Sequence, residues 1–359
     1  MMRIVISALR ILCLLLITGT ASIGQHNQTK EVDRSAAFSE NGVFSIENKY
    51  GDITIRSWAK DSVRIHATIK TSSKSRDRLA MLDKRSRVSI YLNSDFADVK
   101  TVVDESTLAK EWRNIKNMAT SGGDQIVVDY VIDVPRSVKL EIVNRFGNTY
   151  IDNHSGRINI DSEHGDVRLG KAPQLEDAHI AFGKLFAREV GRPELEMNFC
   201  DLDVGKATSL KIHSKSSTMH IGQVGNVYLR STRDKVTVKK VKNIDLVGTL
   251  TKLEVGKITG ELNVTIRYGK IWVQEVMPET KSLRIKPKNS TVYLNFNGTD
   301  KVKTTVKGEE ISIDYDRGMG ELKKNGKQYE GYLGSTTGSD RTLYISGEKS
   351  SFTIDFENK

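Results

Sequence analysis

The chain is 359 residues long, with 55 Lys and Arg against 45 Asp and Glu for a formal charge of +10, and is 38% hydrophobic. That apolar content excludes wholesale disorder, and two cysteines exclude a disulfide-built scaffold. Only five prolines, with many Val, Ile and Thr and frequent Gly, Asn and Asp, favour strands separated by turns.

Residues 1–24 differ from everything after them. Arg3 and Arg10 stand without an acid, residues 11–17 are wholly apolar, and small residues follow. This reads as a secretory signal peptide cleaved before Gln25, with Ser22 and Gly24 at the −3 and −1 positions. The alternative, an uncleaved anchor, has too short an apolar run, since a spanning helix needs roughly 20 residues. Cys13 lies inside that run, so no lipid attachment is expected there. Removing the segment leaves 53 − 45 = +8 charges and one cysteine, Cys200, expected to be a small buried apolar residue. No later stretch is apolar enough to span a bilayer, so no transmembrane segment is expected after cleavage.

Phe44-Ser45-Ile46 and Ile53-Thr54-Ile55, joined through Tyr50-Gly51-Asp52, look like one coil, which strict alternation over residues 63–69 continues. Residues 71–123 form a charged insertion with a strand over 88–92 and a short helix over 106–118, N-capped by Ser106. A strand over 126–134 follows.

Residues 138–295 are self-similar. A first apolar-x-apolar triplet recurs as Leu140-Glu141-Ile142, Ile158-Asn159-Ile160, Leu195-Glu196-Met197, Leu210-Lys211-Ile212, Val227-Tyr228-Leu229, Ile244-Asp245-Leu246, Leu262-Asn263-Val264 and Leu283-Arg284-Ile285. A second follows each in turn, among them Val167-Arg168-Leu169, Leu202-Asp203-Val204, Met219-His220-Ile221, Val236-Thr237-Val238, Leu253-Glu254-Val255, Ile271-Trp272-Val273 and Val292-Tyr293-Leu294. Residues 170–190 are looser. Units recurring every 15 to 21 residues (Met197 to Ile212, Val264 to Ile285) are too short to bury their own apolar face, and stacking solves this. The expected fold class is all-β: a single-chain parallel β-helix or β-solenoid, right-handed by the twist argument for parallel crossovers, with irregular capping regions. A β-sandwich also gives short, evenly spaced strands, but Asn-Gly and Asp-Gly hairpin signals are nearly absent between the paired triplets. Closing strands are expected at Ile311-Ser312-Ile313, Leu343-Tyr344-Ile345 and Phe352-Thr353-Ile354, with a loop over 319–338. The domain reading is a leader at 1–24, an N-terminal cap with the insertion at 25–135, repeats at 136–300 and closing strands at 301–359.

The run Glu47-Asn48-Lys49-Tyr50-Gly51-Asp52, the passage from Val134-Pro135 into Val143-Asn144-Arg145-Phe146-Gly147-Asn148, and the closing stretch to Ile354 carry a likeness. The chain resembles the bacterial putative-adhesin family, which includes auto-transporter adhesin head-like domains of unknown function common in exported proteins of Bacteroidetes-type bacteria. The likeness is one of pattern across most of the chain. It implies a β-helical fold and a periplasmic or cell-surface location, and carries over no catalytic residue.

Chemistry-bearing patterns are sparse. The outward carboxylates Glu141, Glu196, Asp203, Asp245 and Glu254 are single and scattered, which disfavours a polysaccharide-cleaving β-helix enzyme. His213 and His220 lack a third ligand, and His164 and His179 fall on different coils, so no metal and no cofactor are expected. His164-Gly165 sits where other coils carry Phe146-Gly147, Phe182-Gly183 and Tyr268-Gly269, and its imidazole is expected to pack the corner. Two binding candidates remain. Trp272 and Tyr293 are outward residues on consecutive coils, about 4.8 Å apart per rung, a platform for sugar rings or a partner protein. Arg230, Arg233, Lys235, Lys239, Lys240 and Lys242 make a basic run suited to acidic glycans or anionic head groups rather than nucleic acid in an exported protein, or a solvated face that keeps the chain soluble. The reading is an exported, non-enzymatic surface scaffold or adhesin-like binding module for a cell-surface glycan or protein. A polysaccharide-acting enzyme and a self-assembling structural β-helix are the alternatives.

Overall fold

In the computed structural model the described residues are 25–104, 123–297, 301–326, 328–334 and 341–357. The leader and the helix expected over 106–118 lie outside them. The chain is all-β, with one α-helix, Arg76–Arg85, among the described residues.

The regular part is built by parallel pairing between successive passes, or rungs, of the chain. Strands Asp201–Lys215, Thr218–Thr232 and Lys235–Thr249 pair without a register shift, Thr218 opposite Asp201 and Lys235 opposite Thr218, so one rung is 235 − 218 = 17 residues. Alternation turns Leu202, Val204, Leu210 and Ile212 inward. Met219, Ile221, Val227 and Leu229 occupy the same positions one rung on. Each such side chain is worth about 1.5–3 kcal/mol when fully buried, but only against the rung above and below.

Several features differ from the sequence expectation, among them the 15-residue step from Met197 to Ile212: Ile212 lies opposite Leu195, so that rung also spans 17 residues. The link from each second triplet to the next first triplet is not a plain corner. It carries a further inward residue, Ala207, Val224, Val241 and Ile258 in register, so each rung has a short third side. The looser section is regular, with strands Leu175–Ala181 and Lys184–Val190 paired in parallel to their neighbours. The segment over 319–338 is not simply a loop. A 3-10 turn at Arg317–Met319 leads into strand Gly320–Asn325, antiparallel to Gln328–Leu333, while 335–338 lie outside the described residues.

One corner recurs along the molecule and explains the quoted motif. Tyr50, Phe146, His164, Phe182 and Phe199 all take left-handed backbone conformations (φ between 55° and 65°), as do Ser216, Arg233, Leu250, Tyr268 and Asn289 on later rungs. Bulky residues rarely adopt this region, at a cost of roughly 1–2 kcal/mol each. The glycine that follows is required by close approach: a Cβ on Gly147 would overlap the Gly51 carbonyl, and one on Gly165 the Gly147 carbonyl. Before the ring, Asn48 points inward and its amide donates to the Gly51 and Val128 carbonyls at 2.9 and 3.0 Å. After it, Asp52 Oδ1 accepts from the Asn148 N–H, and Asn148 Oδ1 from the Asp166 N–H, stitching corner to corner. Beyond Phe199 the glycine position passes to Cys200, Ser217 and Asp234. The Cys200 N–H donates to Ser217 Oγ at 3.2 Å and the Ser217 N–H to Asp234 Oδ1 at 2.8 Å. Cys200 is buried, as expected, and burial pushes its thiol up from the usual range.

Antiparallel pairing is confined to the flanks. The alternating strand expected over 63–69 is Ser62–Ser73, but it lies antiparallel between His26–Ala37 and Gln125–Pro135 instead of continuing a coil. The insertion contains the Arg76–Arg85 helix, N-capped by Ser75 with Asp77 in its first turn and Lys84 and Arg85 in its last, favourable for the helix dipole. It leads into the pair Ser86–Leu92 and Phe96–Val103. At the other end Arg341–Glu357 pairs in parallel with Ser282–Lys288 and Thr291–Asn297, and Val302–Tyr315 stacks on its far side.

Candidate functional surfaces

Trp272 and Tyr293 are register partners on strands Lys270–Val276 and Thr291–Asn297, 43% and 36% exposed. The two rings are not equivalent: Lys270 Nζ sits 4.8 Å from the Tyr293 centroid, a cation–π contact that covers one ring face. Beside them run Lys235, Lys252 and Lys270 in register. Glu254 lies next to Trp272 on the adjoining rung and accepts from Lys252 at 2.7 Å, and the Lys252 ammonium holds its carboxyl below the ordinary range. Glu141 is likewise paired, with Lys139 at 2.7 Å. Both outward acids make ion pairs within their own strands. Among the described residues no group of three or more His, Cys, Asp or Glu is placed to hold a metal ion.

The corner rings form a second exposed surface. Tyr50, Phe146, His164, Phe182 and Phe199 stack at successive centroid distances of 5.4, 4.9, 4.9 and 5.4 Å with interplanar angles of 17°, 4°, 7° and 3°. The imidazole of His164 therefore stacks between two phenyl rings on the outside of the corner, not within the core. About half the surface of Phe146, Phe182 and Phe199 remains open to solvent. Stacking is worth about 0.5–1.5 kcal/mol per pair beyond area burial and offsets the cost of the left-handed backbone. Because each ring covers its neighbours' faces, the surface presents ring edges. Phe199-Cys200 and Tyr50-Gly51 belong to this column, and their place before an aligned small residue is the signal that finds them.

The six basic residues do not gather on one face. Arg230 faces outward from the first-triplet side of its rung, Arg233 is the left-handed corner residue (φ 60°), and Lys235 opens the second-triplet side. Lys239, Lys240 and Lys242 flank the short third side, all exposed. A run nearly as long as a 17-residue rung is carried around it.

A recess of about 680 Å³ is lined by Ser57, His154, Asp152 and the cations Arg136, Lys171 and Arg188. His154 is buried and locked: one ring nitrogen, Nε2, contacts the Val138 carbonyl at 2.7 Å and the other, Nδ1, contacts Ser57 Oγ at 2.7 Å. The neutral tautomer with Nε2 protonated satisfies both, accepting the Ser57 hydroxyl at Nδ1. Burial pushes the imidazole below its ordinary value of 6.5. The unfolded chain then takes up a proton near pH 6.5 that the folded chain refuses, so this contribution is full above that pH and falls as the pH drops towards the lowered native value. Urea midpoints between pH 7.5 and 5.5 should decline for the wild-type chain and be flatter for His154→Gln. Parallel profiles would remove His154 as the cause.

No family model matches the chain, and no curated protein matches it. Among solved structures it is similar to a putative cell adhesion protein from Clostridium sporogenes, 9% identical, covering 92% of this chain and 100% of that one with a TM-score of 0.17. It is also similar to a putative adhesin from Bacteroides fragilis (11% identical, 90% and 97% covered, TM-score 0.29). A third is a putative lipid binding protein from Parabacteroides distasonis (10% identical, 90% and 96% covered, TM-score 0.31). At these identities and scores the functional reading rests on the chain's own residues.

Proposed function

We propose that the chain is an exported, non-enzymatic, right-handed β-solenoid that serves as a surface scaffold or adhesin-like binding module. Its leader is residues 1–24, its caps lie in 25–135 and 301–359, and its repeats span 136–300. The location is periplasmic or at the cell surface, and the ligand is a cell-surface glycan or protein bound along an elongated face. The observation that carries this reading is the pair Trp272 and Tyr293, held in register on consecutive rungs with their rings exposed. Large apolar groups left open on a rigid sheet mark interaction surfaces more often than they serve stability. The free face of Trp272 suits the C–H face of a sugar ring, and Lys270, two residues away on the same strand, is available for polar substituents.

A glycan-array screen of the full chain beside a Trp272→Ala/Tyr293→Ala variant tests this. Selective binding that weakens roughly ten- to a hundredfold in the variant is expected, the loss of two ring contacts at about 0.5–1.5 kcal/mol each. Binding unaffected by the double substitution removes these rings from the site. An empty array removes the glycan and leaves a protein ligand for this face.

A further inference from the structure

The short third side of the rungs carries a row rich in lysine. Lys171, Glu189, Lys206, Gln223, Lys240, Lys257 and Glu275 follow one another in register on successive rungs. The two ends of this row are paired, Lys171 with Glu189 at 3.4 Å and Lys257 with Glu275 at 2.9 Å. Its middle is not: among the described residues Lys206 and Lys240 make no ion pair. One residue earlier runs a parallel line in which Arg188 and Lys239 alternate with Gly205, Gly222 and Gly256, each glycine packed against the carbonyl of the rung before it. Glycines keep the floor of this line low between exposed cationic side chains. At its near end lies the recess with Arg136 on its rim.

We propose that this corner, from Arg136 and Arg188 through Lys206 to Lys239 and Lys240, is a binding track for a linear polyanionic glycan bearing carboxylate or sulfate groups. From the rung of Lys171 to that of Lys257 is five steps of about 4.8 Å, roughly 24 Å, long enough to engage several sugar units at once. The fixed period matches a ligand whose charges recur, and a chain lying along the row meets a cation on most rungs. A single-stranded nucleic acid also carries periodic charge, but its binding relies on aromatic platforms beside the cations. Here the stacked rings, themselves the left-handed residues, stand at a different corner. The track is separate from Trp272 and Tyr293, so it stands or falls independently of the function proposed above.

The test is titration of the full chain with polygalacturonate, as the carboxylate probe, and heparin, as the sulfate probe, from 50 to 300 mM salt. Neutral dextran and a single-stranded DNA oligonucleotide are run alongside. Arg188→Ala/Lys239→Ala/Lys240→Ala is compared with Lys303→Ala/Lys323→Ala/Lys324→Ala, which removes the same charge from the far end of the molecule, and with Trp272→Ala/Tyr293→Ala. All six cations are exposed, so both triple variants should fold, which thermal unfolding verifies. Salt-sensitive binding to one or both acidic probes, lost at least about tenfold in the first triple variant and within twofold of wild type in the other two, supports the track. Whichever acidic probe binds more tightly identifies the anionic group. Equal loss in both triple variants, or binding to neither acidic probe, overturns it. DNA bound as tightly as the glycans and released by the same three substitutions overturns the glycan assignment.

Discussion

Gly147→Ala is expected to destabilise the chain by at least about 3 kcal/mol, a large share of the roughly 5–15 kcal/mol that holds a typical domain folded. The added methyl would overlap the Gly51 carbonyl, and Gly165 approaches the Gly147 carbonyl from the next rung in the same way. Relief requires lifting one rung off its neighbour, which breaks ladder hydrogen bonds on both sides of the corner. Ordinary overpacking costs about 1–3 kcal/mol because side chains can yield, whereas the obstacle here is backbone. Urea unfolding measures the effect. Gly326→Ala provides the contrast: it sits at a hairpin tip with φ +62° and nothing within 4 Å of a new Cβ, so only the left-handed backbone cost of roughly 1–2 kcal/mol applies. If the two variants lose the same stability, close approach of the corners is not what selects glycine.

Asn48→Ala is the second large effect, at about 2–5 kcal/mol. Asn48 is 1% exposed, and its amide is the donor to two buried carbonyls, Gly51 and Val128, while its Oδ1 accepts from Thr101 Oγ1 at 2.7 Å. Removing it strands both carbonyls away from water, at about 1–3 kcal/mol for each group left unsatisfied. Asn144→Ala, the equivalent change one corner on, should cost less. Asn144 donates to the Asn148 carbonyl and Thr149 Oγ1 at 3.1 and 3.2 Å, but its own Oδ1 has no partner. The ordering of the two denaturation midpoints is the check. A larger loss at Asn144 would mean that cavity volume, not hydrogen bonding, dominates these sites.

The repeat was legible because burial here is a matter of alternation. Leu202 and Val204, Met219 and Ile221, and Val236 and Val238 can be aligned by eye, and they are the residues that stack. The short third side is not legible because one inward residue, such as Val224, makes no alternating pattern of its own. The corner rings could be aligned but not oriented. A left-handed residue breaks the two-residue period, so the sequence does not say whether Phe182 turns in or out. Pairing direction was equally silent: residues 63–69 alternate as any half-buried strand does, whether the partner runs parallel or antiparallel. His26–Ala37, polar along most of its length, shows no pattern at all and owes its strand conformation to its partner Ser62–Ser73. The basic run illustrates the opposite error. Nearness in sequence failed to mean nearness in space, because a 17-residue rung carries six cations around three sides.

The arrangement at the far end of the ladder has a consequence for how the molecule is made. Residues 302–315 leave the ribosome before residues 341–357, yet in space they lie beyond them, resting on the later segment. The earlier strand therefore has no seat until the later one has been synthesised. Throughout that interval the unpaired edge of Thr291–Asn297 is open to any strand that reaches it. A chain folded as far as Asn297 but with residues 341–357 not yet in place is an almost complete ladder with an open edge, the species best placed to pair with a second copy.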